Sequence, residues 1–115
     1  MSDGAEVHVF RVTVRGRFTE LTEQARAFLV RSQAEHDIFL SAYTPEGTFT
    51  YDAAIAFFNL RYELRESGPD GAQLVELEAL DEAERFLATM GFTAKNLRAD
   101  VVDMSTMTND TRRLR

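Results

Sequence analysis

Two segments of the chain alternate residue by residue between apolar and polar side chains. In the first, Phe10, Val12, Val14 and Phe18 share one parity, and Arg11, Thr13, Arg15 and Arg17 the other. In the second, Phe58, Leu60, Tyr62 and Leu64 alternate with Asn59, Arg61, Glu63 and Arg65. Successive side chains on a strand point to opposite faces, so each segment reads as a strand with one dry face and one polar face. A sheet that is apolar on one side must bury that side against another layer. The intervening segments supply the layer. Thr22 before Glu23 reads as a helix N-cap with an acid in the first turn. Leu21, Ala25, Phe28, Leu29 and Ser32 then recur at helical spacing, predicting an amphipathic helix over residues 22–35. A turn cluster over residues 67–71 precedes a second stripe, formed by Ala72, Val75, Ala79, Ala83, Phe86, Leu87 and Met90. Asp70 and Gln73 have capping-box spacing, and Gly91 sits where a left-handed C-cap is wanted. Residues 74–78 also fit a strand, with the helix then starting near Asp81.

Residues 38–43 read as a short apolar strand, residues 44–47 as a turn, and residues 48–51 as the strand completing a hairpin. Residues 53–57 fit either a helical turn or the start of a strand. Leu97, Ala99 and Val101 form one face of a last strand; Val102 and Met104 fall on the other parity, which predicts either a bulge there or a strand end buried on both faces. The order strand, helix, hairpin, strand, helix, strand predicts an α+β fold: a ferredoxin-like antiparallel sheet with two helices on one face. With 115 residues, the chain is expected to form one domain over residues 1–104, followed by a polar tail over residues 105–115.

Composition narrows the chemistry. There is no cysteine, which excludes disulfide scaffolds, thiol catalysis and thiolate metal sites. Two histidines make a histidine-rich metal site a poor fit, and no cofactor is expected. The net charge of −6 argues against general binding to nucleic acid or anionic membranes. The longest apolar run, residues 53–58, is far too short to span a bilayer. Residues 1–6 carry no cationic patch followed by an apolar stretch, so no secretion signal and a cytoplasmic location are expected.

The face turned away from the helices is the informative one. Strand parity puts Arg11, Arg15, Arg17, Arg61, Arg65 and Arg98 there, accompanied only by Glu63 and Asp100. The acids crowd the second helix instead, at Glu76, Glu78, Asp81, Glu82 and Glu84. Such segregation attracts anions, and arginine suits bidentate holding of carboxylate or phosphate. The strand at 38–43 is apolar on both parities, so this face is expected to be covered, by a second copy in a homodimer. The enclosed space would take an apolar small molecule with an anionic group. Its expected ligand-binding residues are Arg11, Arg15, Phe39, Tyr43, Phe49, Tyr51 and Phe57. Single-stranded RNA is not an expected partner, because the phenylalanines of the first strand point to the core. Adjacent His36 and Asp37 offer a general base only if both side chains turn the same way. His8 is expected as a satisfied histidine at the core edge, and Asp100 and Asp103 on opposite faces.

Residues 10–18 (FRVTVRGRF), 44–52 (TPEGTFTYD), 57–63 (FFNLRYE), 86–91 (FLATMG) and 102–105 (VDMS) resemble an uncharacterised actinobacterial family of small α+β domains of unknown function. That resemblance implies no catalytic residues. The architecture resembles the dimeric α+β barrels, which include cofactor-independent monooxygenases and polyketide cyclases. That resemblance implies a homodimeric small-molecule enzyme or binder, a cyclase or isomerase acting on a polyketide-like substrate; fold alone does not carry function. The alternative is a non-catalytic homodimeric interaction module.

Overall fold

The computed structural model describes residues 6–36 and 42–105. The elements are β1 (Val7–Phe18), α1 (Glu23–Arg31), a short 3-10 turn (Gln33–His36), β2 (Thr48–Tyr51), β3 (Phe57–Ser67), α2 (Gly71–Met90) and β4 (Ala94–Asp103). Among the described residues, four strands lie in the order β2-β3-β1-β4, and all neighbours are antiparallel. Two interleaved split βαβ units in this order make the expected ferredoxin-like α+β plan.

The alternation seen in the sequence becomes the two faces of the sheet. β1 and β3 pair from Val7↔Ser67 to Arg17↔Phe57. Phe10, Val12, Val14, Phe58, Leu60 and Tyr62 all face the helices and are buried. Leu64, Leu97, Ala99 and Val101 flank them, half-buried. α2 buries Gly71, Val75, Ala79, Ala83 and Leu87, every fourth residue. Three of these five are glycine or alanine, which lets the helix backbone approach the sheet closely. A Cβ on Gly71 would already stand 3.3 Å from the Phe10 ring. Ala72 and Met90, expected in this stripe, are exposed. The stripe continues through residues 74–78, which are helix rather than strand. Gly91 ends α2 with φ 76° and ψ 26°, the left-handed cap its position predicts. The capping box does not form: Asp70 is the N-cap, but its side chain makes no capping hydrogen bond.

α1 starts as expected, with the Thr22 hydroxyl accepting from the Ala25 N–H at 3.0 Å. It buries Ala25 and Leu29 and stops at Arg31, short of residue 35, because Ser32 leaves the helical conformation and a 3-10 turn follows.

The expected strand at 38–43 lies largely outside the described residues. Its last two residues, Ala42 and Tyr43, are not in a strand, and Thr44 makes an isolated parallel bridge to Tyr62. The turn over residues 44–47 is present: the Gly47 N–H donates to the Thr44 carbonyl. β2 forms a hairpin with β3, the strand that follows it, where the sequence predicts pairing of residues 48–51 with residues 38–43; its pairs run from Thr48↔Arg61 to Tyr51↔Phe58. The hairpin loop holds Ile55 at φ 56°. It is pinned by the Asp52 carboxylate, which accepts from the N–H groups of Ala56 and Phe57.

The bulge expected near Val102 is at the opposite end of β4. Register is regular from Arg15↔Arg98 to Phe10↔Asp103 and breaks between Arg15 and Arg17. The extra residue falls on β4, where Asn96 has φ 61°. Val102 simply belongs to the outer face, 41% exposed. Gly16 sits at the break with no room for a side chain: a Cβ would lie 2.5 Å from Phe58 Cζ and 2.7 Å from Leu97 Cδ2.

Gly16→Ala is expected to cost roughly 1–3 kcal/mol by overpacking, and Phe58→Ala roughly 3–5 kcal/mol by leaving a cavity. Equilibrium urea unfolding measures both. An unchanged midpoint for Gly16→Ala would show that the Phe58 ring yields.

Candidate functional site

The outer face carries the expected cations, and the register sorts them. Arg11 lies opposite Glu63 and Val102, Thr13 opposite Arg61 and Asp100, and Arg15 opposite Asn59 and Arg98. Arg11 Nε is 3.6 Å from a Glu63 oxygen, and Arg15 hydrogen-bonds to Asp100. Both pairs are half-exposed, so each is worth about 1 kcal/mol or less. Arg17, Lys95 and Arg98 make no ion pair among the described residues. A surplus of positive charge therefore collects at the bulged end of the face.

Tyr43 covers the middle. Its hydroxyl is 3.0 Å from Thr13 Oγ1, and the guanidinium carbons of Arg11 and Arg61 lie 5.1 and 5.9 Å from its ring centroid. Thr13 is consequently buried although it belongs to the outer face. The structure thus brings Arg11 and Tyr43 together, but as an intramolecular cation–π contact.

Phe49 and Tyr51 are not ligand residues on this face. Phe49 pairs with Leu60 and Tyr51 with Phe58, so both inherit the inward parity of β3. Both are buried. Phe49 lies against Phe86 at 4.9 Å and Tyr51 at 5.3 Å, and Phe18 meets Tyr51 edge-on. The Tyr51 hydroxyl donates to the Leu29 carbonyl, tying β2 to α1. Burial raises the Tyr51 pKa and pushes that of Tyr62 up to about 12, so both stay neutral phenols. Phe39 lies outside the described residues.

Arg15 and Phe57 do meet. They line a groove of about 500 Å³ with Arg17, Asn59, Asn96 and Arg98, floored by the backbone at Gly16. Phe57 is 56% exposed and the Arg17 guanidinium lies 5.6 Å from its ring centroid. An accessible ring face, two cations without a carboxylate and two amide side chains converge here. This arrangement can stack a flat apolar body and hold an attached anion. Sequence parity had Arg17 and Arg98 on this face without marking them as ligands. Asn59 shares the parity of Phe57. Asn96 gave one signal only: asparagine tolerates the left-handed region better than most residues.

A second groove, of about 370 Å³, opens beside the start of α2 and includes Phe10, Pro69 and Val101. His8 and Asp103 line it, with Nδ1 2.7 Å from Oδ2. The Ser105 N–H donates to the other Asp103 oxygen at 3.0 Å. The hydrogen bond to Asp103 raises the His8 pKa above 6.5. His8 is thus the satisfied histidine expected at the core edge. Asp100 sits on the outer face and Asp103 on the other, so the two carboxylates do not pair. Asp37 and the His36 side chain lie outside the described residues. Among the described residues, no three histidine or acidic side chains are grouped to hold a metal, and no helix is long and apolar enough to cross a membrane.

The model of a family of unknown function, DUF6204, matches residues 1–115. No curated protein and no solved structure matches the chain.

The His8–Asp103 pair predicts a pH dependence with a definite sign. The folded-state pKa is raised, so the pair stabilises the fold fully below pH 6.5 and less as pH rises through the folded value. The melting-temperature gap between wild type and Asp103→Asn should therefore be larger at pH 5.5 than at pH 8.5. The His8 titration midpoint, read by NMR, should fall in Asp103→Asn.

Proposed function

The chain belongs to this family of unknown function, and we propose that it is a small-molecule binder or enzyme whose ligand is an aromatic or polyketide-like molecule carrying an anionic group. The reading rests on one observation: an exposed phenylalanine ring, Phe57, lies under the Arg17 guanidinium in a groove that also holds Arg98. The ligand's ring stacks on Phe57, its anion lies between Arg17 and Arg98, and Asn59 and Asn96 offer hydrogen bonds to its oxygens. Chemistry suited to such a site is cyclisation or isomerisation through an enolate whose proton passes to solvent water, since the groove's arginines, asparagines and phenylalanines accept none. Negative charge developing on a carbonyl oxygen is stabilised by fixed guanidinium groups, and stacking holds the reacting atoms in a productive pose.

The ligand is held by the residues of one chain. Two sheet faces packed together would set Arg11, Arg15, Arg17 and Arg98 against their own copies. Repulsion between like charges opposes that packing.

Aromatic carboxylates such as salicylate and 2-naphthoate serve as probes, with binding followed by amide chemical shifts. Arg17→Ala and Arg98→Ala should each weaken binding at least tenfold, about 1.4 kcal/mol. Phe57→Ala should weaken naphthoate more than acetate. Arg65→Ala, on the same face but outside the groove, should leave binding unchanged. Equal affinity in wild type and Arg17→Ala would remove the groove as the site.

A further inference from the structure

β4 is an edge strand of ten residues, and among the described residues nothing pairs with its outer side. Open edges of this length template the pairing of another strand, and proteins commonly guard them with charge. The charges on β4 do not repel a second strand of the same sequence. We infer that two copies of this chain associate through β4, antiparallel about a two-fold axis at Ala99, joining their sheets into one of eight strands.

The register follows from the sequence. Directly opposed residues of an antiparallel pair share a face, so the axis must fall on a residue rather than between two. An axis at Arg98 opposes two arginines, and one at Asp100 opposes two aspartates. An axis at Val101 sets Ala99 against Asp103, forcing an apolar contact onto a carboxylate. At Ala99 every contact matches. Arg98 of each copy faces Asp100 of the other, twice, on the outer face. Leu97 faces Val101 of the other copy, twice, on the inner face, with Ala99 against Ala99. Leu97, Ala99 and Val101 are half-buried against the core, so the pairing would cover the apolar edge that α2 leaves open. The bulge at Asn96 ends the ladder just beyond Leu97. Asp100, already bonded to Arg15, would bridge Arg15 of its own chain and Arg98 of the other. Arg98 also lines the groove, so in the paired copies its guanidinium, with five N–H donors, would serve both the other copy's Asp100 and the anion held in the groove.

The chain has no cysteine, so a single introduced thiol reports the register cleanly. Opposed Cα atoms on an antiparallel pair are about 4.5–5.5 Å apart, within disulfide reach. Ala99→Cys should oxidise to a cross-linked dimer of about 26 kDa, twice 13.0 kDa. Arg65→Cys, on β3, should not. Equal cross-linking of the two would overturn the inference. A second measurement, sedimentation without any small molecule, is independent of the groove. Arg98→Asp and Asp100→Arg should each weaken self-association at least tenfold. An equimolar mixture of the two should recover it, because each 98–100 contact is again complementary in the mixed pair. A mixture that associates no better than its components would overturn the inference.

Discussion

The pairing of β1 with β3 is the interaction on which the rest of the molecule depends. These are the two central strands, and their shared register sets Phe10, Val12 and Val14 beside Leu64, Tyr62 and Leu60 on one face. A slip of one residue would turn the three from one strand toward the polar side and break the stripe. Burying a side chain of this size is worth roughly 1.5–3 kcal/mol, so the register is strongly specified. α2 then docks by its row of small residues, and β2 and β4 add to strands whose faces are already decided.

The same register creates the electrostatics of the outer face. An antiparallel ladder opposes side chains one to one, so Glu63 meets Arg11 and Asp100 meets Arg15. Among the described residues, no carboxylate pairs with Arg17, Lys95 or Arg98, which gather at the bulged end. Gly16 has a part in this. A larger residue there would collide with Phe58 and Leu97, so the close approach of β1 and β4 that shapes the groove floor depends on the missing side chain.

Fold class and the inward stripe were legible because period two and spacing by four are local signals. So were Thr22 and Gly91, whose capping roles follow from their own chemistry. The parity of β1 and β3 also put the arginines on the outer face. The candidate site was legible only in part. Arg15 and Phe57 meet in the groove, and Arg11 and Tyr43 meet each other beside it. Phe49 and Tyr51 were misassigned for a physical reason: on a four-residue strand, parity is relative, and only pairing with Leu60 and Phe58 decides which way it points. The bulge was misplaced because Val102, apolar but on an outer-face position, imitates a parity break. Asn96 makes the real break by a backbone conformation that hydropathy does not record.

By itself, the sequence determined which residues could share a face, where α2 ends, that thiol chemistry is absent, and that positive charge would concentrate on one side of a sheet. Tertiary structure decided which cations keep a carboxylate and which do not, that Tyr43 covers Thr13, and that Arg17, Phe57 and Arg98 border one groove. The division has a single cause. Faces and caps depend on neighbours a few residues away along the chain. Ion pairs, ring contacts and grooves depend on register between strands distant along the chain, such as Arg15 with Asp100, 85 residues apart, and Arg17 with Phe57, and no local pattern encodes that distance.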